Sequence, residues 1–132
     1  MKSVRLASIA PFIKHVRSKL AGLNTTEARA YFDSIWKRPR RPSMHRVLND
    51  TVGSVPVRIY LPKKDSTDTV VFFHGGGFTL GSIASHDQVA RLLAKYTGKN
   101  VVSVGYTLAP AGKFPRPIEG GTCGHRRTTR TC

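Results

Sequence analysis

The apolar run Thr69-Val70-Val71-Phe72-Phe73 passes directly into His74-Gly75-Gly76-Gly77-Phe78, and this junction limits the possible folds more than any other feature. Continuous β-branched and aromatic residues without alternation mark a strand buried on both faces, as in the interior of a parallel sheet. Three consecutive glycines then let the main chain take positive φ and close in on a bound group. Further on, Ser85 and Gln88 have capping-box spacing, and Val89, Leu92, Leu93 and Tyr96 form the apolar stripe of a helix that stops at Gly98. Asn100 to Tyr106 (NVVSVGY) reads as a second buried strand. Strand, helix and strand in this order make a βαβ crossover, so the expected fold class is α/β, with a sheet that is at least partly parallel and helices on its faces.

Upstream, the hydrophobic period is helical. Ile9, Phe12, Ile13, Val16 and Leu20 share one stripe after Pro11, a residue tolerated in a first turn. A second helix starts at Asn24, with Glu27 three residues on to complete a capping box and Ala28, Tyr31, Phe32, Ile35 and Trp36 as its apolar side. Pro39 and Pro42 end it. The basic stretch Lys37 to Arg46 is broken by prolines and carries no interleaved aromatics, so it reads as a solvated linker rather than a nucleic-acid patch. Met44 to Val52 and Val55 to Leu61 flank Gly53-Ser54 and read as an antiparallel pair, with Pro56 at a strand start or edge. The expected organisation is N-terminal helices and linker over 1–43, an α/β core over 44–118, and a tail over 119–132 that lacks Leu, Ile, Val, Phe, Tyr, Trp and Met. That tail reads as disordered and as out-of-frame or alternative coding sequence.

Chemistry concentrates at the glycine loop. Consecutive backbone N–H groups in a glycine turn can point at one spot and stabilise negative charge developing on a carbonyl oxygen. A strand before the loop, His74 at the strand end, Phe78 after it and a helix beyond favour an oxyanion loop over a plain flexible turn. His86 and Asp87 stand side by side at a helix start, but adjacent helical positions do not face each other, and an Asp there complements the helix dipole. Cys123 and Cys132 form no disulfide framework, and His125 alone does not complete a zinc site.

HGGGF after a hydrophobic strand, followed at the expected separation by Tyr106-Thr107-Leu108-Ala109-Pro110-Ala111 and Lys113-Phe114-Pro115, resembles the hormone-sensitive-lipase-like carboxylesterases of the α/β-hydrolase fold. Val55 to Pro62 (VPVRIYLP) resembles the family's second strand, and Thr-Glu-Ala-Arg-Ala its N-terminal cap. The resemblance implies an incomplete hydrolase sheet and hydrolysis of small carboxylic esters with short or medium acyl chains, without metal or organic cofactor. It implies backbone N–H donors at Gly76 and Gly77, a turn at Gly75, a bracing ring at His74, and acyl or alcohol contacts from Phe78 and the cap helices, with Phe78 as plain core the alternative.

The departures are as informative. No Gly-x-Ser-x-Gly occurs in the chain, and Thr107 and Ala111 replace charged residues of the second motif, which removes its usual ion pairing. An oxyanion hole without a nucleophile polarises a carbonyl but cannot be acylated, so this chain alone is expected to be inactive. The absent neighbouring strand is expected to leave Val70 to Phe73 on an open edge prone to self-association. Alternative readings are a ligand-binding hydrolase-like module, a non-functional truncated product, and a basic nucleic-acid or membrane-surface binder. The last rests only on the net charge of +15, which an ordinary basic protein also accounts for, so no specific nucleic-acid partner is expected. No apolar run approaches the roughly 20 residues of a membrane span. A cytoplasmic location is expected; the alternative is mitochondrial, from Lys2, Arg5, Lys14, Arg17 and Lys19 with no acidic residue before Glu27.

Overall fold

The computed structural model of the chain describes residues 6–36 and 41–112. Part of the basic linker, the Lys113-Phe114-Pro115 segment, both cysteines and the 119–132 tail lie outside the described residues. Two helices come first, α1 (Leu6–Leu20) and α2 (Thr25–Ile35). α2 starts where its capping box places it: Asn24 Oδ1 accepts from the Glu27 N–H at 3.0 Å, and Glu27 Oε2 accepts from the Asn24 N–H at 3.1 Å.

β1 (Arg46–Val52) and β2 (Val55–Leu61) form the expected hairpin, with Val52 opposite Val55 and Gly53 at φ 61°. A positive φ at the first of two loop residues is the turn whose twist matches the flanking strands. β3 (Thr69–Phe73), α3 (Asp87–Thr97) and β4 (Asn100–Val104) complete the crossover. β3 and β4 run parallel, from Thr69 opposite Asn100 to Phe73 opposite Val104. β4 also pairs antiparallel with β2, which gives the order β1-β2-β4-β3 and a mixed sheet. β2 is therefore an interior strand, and Pro56 suits it only as a strand start; its carbonyl accepts from the Gly105 N–H at 2.8 Å.

α3 covers one face of the sheet. Tyr60, Val101, Ala90 and Ala94 are fully buried there, with Val47, Val70, Phe72 and Leu93 packed around them. The predicted stripe of α3 needs correction. Val89 is 46% exposed and Tyr96 82%, while the small side chains Ala90 and Ala94 face the strands. Alanine lets the helix axis approach the sheet where a larger residue would hold it off. On the opposite face Val57, Val104 and Tyr106 form a second cluster with Ile59, Val102 and Leu108.

β3 is not buried on both faces, contrary to the reading of its composition. Val71 is 51% exposed and Phe73 46% exposed, while Val70 and Phe72 pack under α3. Among the described residues β3 is the border strand of the sheet, paired on one side only, with one face covered by α3 and the other exposed.

Candidate functional site

The parallel pair brings the loops after β3 and β4 out at the same end of the sheet, the end where α/β folds bind ligands. Those loops are stitched together. The Tyr106 hydroxyl donates to the His74 carbonyl at 2.6 Å, and the Ala109 N–H donates to the Phe78 carbonyl at 2.8 Å. The Tyr106 ring stacks on the His74 ring at 4.5 Å between centroids and 20° between planes. Burial pushes the Tyr106 phenol above its ordinary range, so it stays a neutral donor.

His74 is 4% exposed, and its Nδ1 lies 3.0 Å from the Gly75 carbonyl, a contact that puts the proton on Nδ1. Behind it His86 stacks at 5.3 Å, with Phe32 and Phe72 at 6.4 and 6.3 Å on its other sides. Desolvation, reinforced by the nearby His74, lowers the pKa of His86 and favours its neutral form.

The glycine loop turns sharply. Gly76 has φ 131° and Gly77 φ 61°, and the Gly76 carbonyl accepts from both Leu80 N–H (2.9 Å) and Thr79 N–H (3.2 Å). With that carbonyl tied back, the Gly76 and Gly77 N–H groups have no partner among the described residues. A Cβ on Gly76 would lie 1.9 Å from the Leu80 carbonyl oxygen, and one on Gly81 would lie 2.5 Å from the Gly75 carbonyl oxygen. Close backbone approach, rather than flexibility, is what these glycines permit. Phe78 follows at φ 58°, 55% exposed, with its ring 6.0 Å from Tyr106. It is not a core residue.

Residues 70–123 match the sequence profile of a family described as alpha/beta hydrolase fold. An esterase from Pyrobaculum calidifontis superposes with a TM-score of 0.72 at 35% identity, over 77% of this chain and 36% of that one. The chain carries part of an α/β-hydrolase fold. A thermostable carboxylesterase cloned from a metagenomic library is similar to this chain at 31% identity and a TM-score of 0.69, over 78% of this chain and 38% of that one. An acetyl esterase of Salmonella paratyphi B is 45% identical over 67 residues, which are 51% of this chain and 21% of that protein. The chain thus spans about a fifth of the length of the curated relatives it matches.

Two features of the site depart from the expectations. The capping box of α3 does not form: His86 is the N-cap residue and makes no side-chain cap bond. Ser85 instead closes a serine turn with Ser82, accepting from the Ser82 N–H at 2.8 Å and donating to the Ser82 carbonyl at 3.1 Å. Its hydroxyl is thereby withdrawn from the helix start.

Asp87, at a helix start, does more than complement the helix dipole; it is a buried hub, 1% exposed. It accepts from the Tyr60 hydroxyl at 2.9 Å and pairs with Arg91 at 2.8 Å, Arg58 at 3.3 Å and Arg41 at 3.5 Å. Burial works against its charge, but hydrogen bonds from Arg91 and Tyr60 and the charges of Arg91 and Arg41 outweigh it. The carboxyl is held below the ordinary aspartate value. His86 and Asp87 thus turn to separate surroundings and make no acid–base pair.

Sequence reasoning also gave no role to Arg29, whose guanidinium reaches the Thr79 carbonyl (Nε, 2.9 Å) and the Ala109 carbonyl (Nη2). Those partners lie 50 and 80 residues away, beyond any local signal. Among the described residues no group of three or more His, Cys, Asp or Glu gathers as a metal site.

Proposed function

We propose that the Gly76 and Gly77 N–H groups are the oxyanion donors of a carboxylic ester hydrolase acting on short or medium acyl esters. The observation that carries this reading is the glycine turn itself: its carbonyl is tied inward, two adjacent N–H groups have no partner among the described residues, and a buried His74–Tyr106 stack lies beneath. Its relatives' esterase activity supports the same reading.

Two preorganised donors stabilise the tetrahedral oxyanion without reorganising during the reaction, each worth on the order of 3 kcal/mol. His74 braces the loop through its ring and carbonyl and transfers no proton. Phe78, exposed at the loop, and the apolar groove of about 320 Å³ between α1 and α2, lined in part by Phe12, Ile13, Phe32 and Trp36, are suited to the acyl or alcohol portion. Since the chain has no Gly-x-Ser-x-Gly, it does not form an acyl-enzyme by itself.

The test grafts residues 24–112 in place of the matching segment of the Pyrobaculum calidifontis esterase and follows p-nitrophenyl butyrate hydrolysis. The graft is expected to be active, and Gly77→Pro is expected to lower kcat about a hundredfold or more with little change in KM. An unchanged kcat in that variant refutes the donor assignment. The isolated chain should show no turnover that co-elutes with it on gel filtration; turnover that co-elutes and is lost in Gly76→Pro would overturn its inactivity.

A further inference from the structure

α2 presents three residues to the outer side of the glycine loop, at positions i, i+3 and i+4 of one helical face. Arg29 binds the carbonyls of Thr79 and Ala109, Asp33 accepts from the Ser82 hydroxyl at 2.9 Å, and Phe32 stacks beside His86. Arg29 is the member that bridges. Its two acceptors belong to the two loops already joined by the Ala109 N–H to Phe78 carbonyl bond, so one guanidinium closes a ring of three contacts. An i,i+4 partner, Asp33, is present on the same helix, yet no ion pair joins the two side chains. The fork is committed instead to two uncharged carbonyls, a geometry that suits a planar guanidinium with several donors and that a single ammonium cannot reproduce.

We infer that Arg29 is a positioning residue for the oxyanion donors: it fixes the separation of the glycine loop from the Tyr106–Gly112 loop and so couples the cap helix α2 to the aim of the Gly76 and Gly77 N–H groups. Thr79, the acceptor for Nε, also donates its N–H to the Gly76 carbonyl. A displacement of that residue is therefore passed directly to the peptide that orients the Gly77 N–H. Thr107 and Ala111, which carry no charge, supply no competing ion pair to this part of the loop. The inference rests on the donor assignment for Gly76 and Gly77.

The experiment has two arms. In the isotope-labelled full chain, Arg29→Met keeps the apolar stem and removes the fork. It is expected to shift the Gly75–Phe78 amide resonances and to speed hydrogen exchange at the Ala109 and Thr79 amides about tenfold, while the amides of β1 and the Gly53 turn stay unchanged; Arg29→Lys should recover part of the effect. In the grafted esterase, Arg29→Met should lower kcat about tenfold or more with KM within about twofold, again partly rescued by lysine.

Unchanged loop resonances and exchange overturn the inference, as does an exchange increase spread evenly through β1 and β4, which would mark general destabilisation. The first arm reads the loop whether or not the chain handles esters. If Arg29→Met leaves the loop unmoved while Gly77→Pro abolishes turnover, the positioning role fails and the donor assignment stands. If Arg29→Met moves the loop and Gly77→Pro changes nothing, the donor assignment fails.

Discussion

Replacing Gly76 with alanine should cost far more than the same change one residue later. At Gly76 the new Cβ would stand 1.9 Å from the Leu80 carbonyl oxygen and 2.5 Å from its carbon, both backbone atoms that cannot swing aside. The loop must open, giving up the Leu80 and Thr79 N–H bonds to the Gly76 carbonyl. Each of those bonds is worth about 1 kcal/mol. Alanine in the left-handed half of the map adds about 1–2 kcal/mol. The total is about 3–4 kcal/mol. At Gly77, φ is 61° and nothing lies within 4 Å of an added Cβ, so only the conformational cost of about 1 kcal/mol remains. Urea denaturation of both variants, with hydrogen exchange followed at Thr79 and Leu80, measures the difference. Should the two variants fall within about 0.5 kcal/mol of each other, the ordinary scatter of surface substitutions, the close-approach account of this loop is wrong.

The remaining predictions concern charge and the sheet. Asp87→Asn should destabilise the chain by about 3 kcal/mol in thermal or urea unfolding, because it strands Arg58 and Arg91 beside a neutral side chain. The low end of the buried-pair range applies, since those guanidinium groups reach solvent. The folded-state pKa of Asp87 is depressed, so its contribution is present above the ordinary aspartate value and lost as pH falls from there through the folded value; a Tm-against-pH series should be flatter below about pH 4 in Asp87→Asn. His86 also has a lowered folded pKa, so the unfolded chain takes up its proton first, and stability should fall as pH drops through about 6.5. His86→Gln should remove that step, and a step of unchanged size would assign it to another group. Phe73→Lys should shift light scattering or sedimentation toward monomer by charging the open face of β3; association that persists unaltered would place the contact elsewhere.

What could be read from the sequence is what neighbouring residues decide among themselves. The Asn24–Glu27 capping box closes within four residues, and the Gly53-Ser54 turn fixes the β1–β2 register within two. The run at Thr69–Phe73 was legible as a strand, but its composition could not say what lies against each face. Val71 and Phe73 are as apolar as Val70 and Phe72, and only the position of α3 separates them. The same limit explains α3 itself, where Val89 and Tyr96 drew the stripe and Ala90 and Ala94 make the contact. At the site, the glycine triplet and its His were legible as a motif. Arg29 was not, and Asp87 was legible only as far as its i,i+4 neighbour Arg91; their other partners come from strands and loops that only the folded sheet assembles.

The border position of β3 carries a consequence for how anything else could meet the glycine loop. Neighbouring strands lie about 4.8 Å apart, so a segment that added parallel along the free side of β3 would release its own following loop one strand spacing from Gly75. Side chains alternate with a period of two, and a slip of one residue would turn every one of them to the other face. Half of the possible registers would therefore point the first residue of that loop away from Gly76. The edge of the sheet works as a ruler: what reaches the Gly76 and Gly77 N–H groups is decided by backbone pairing several residues before the loop begins.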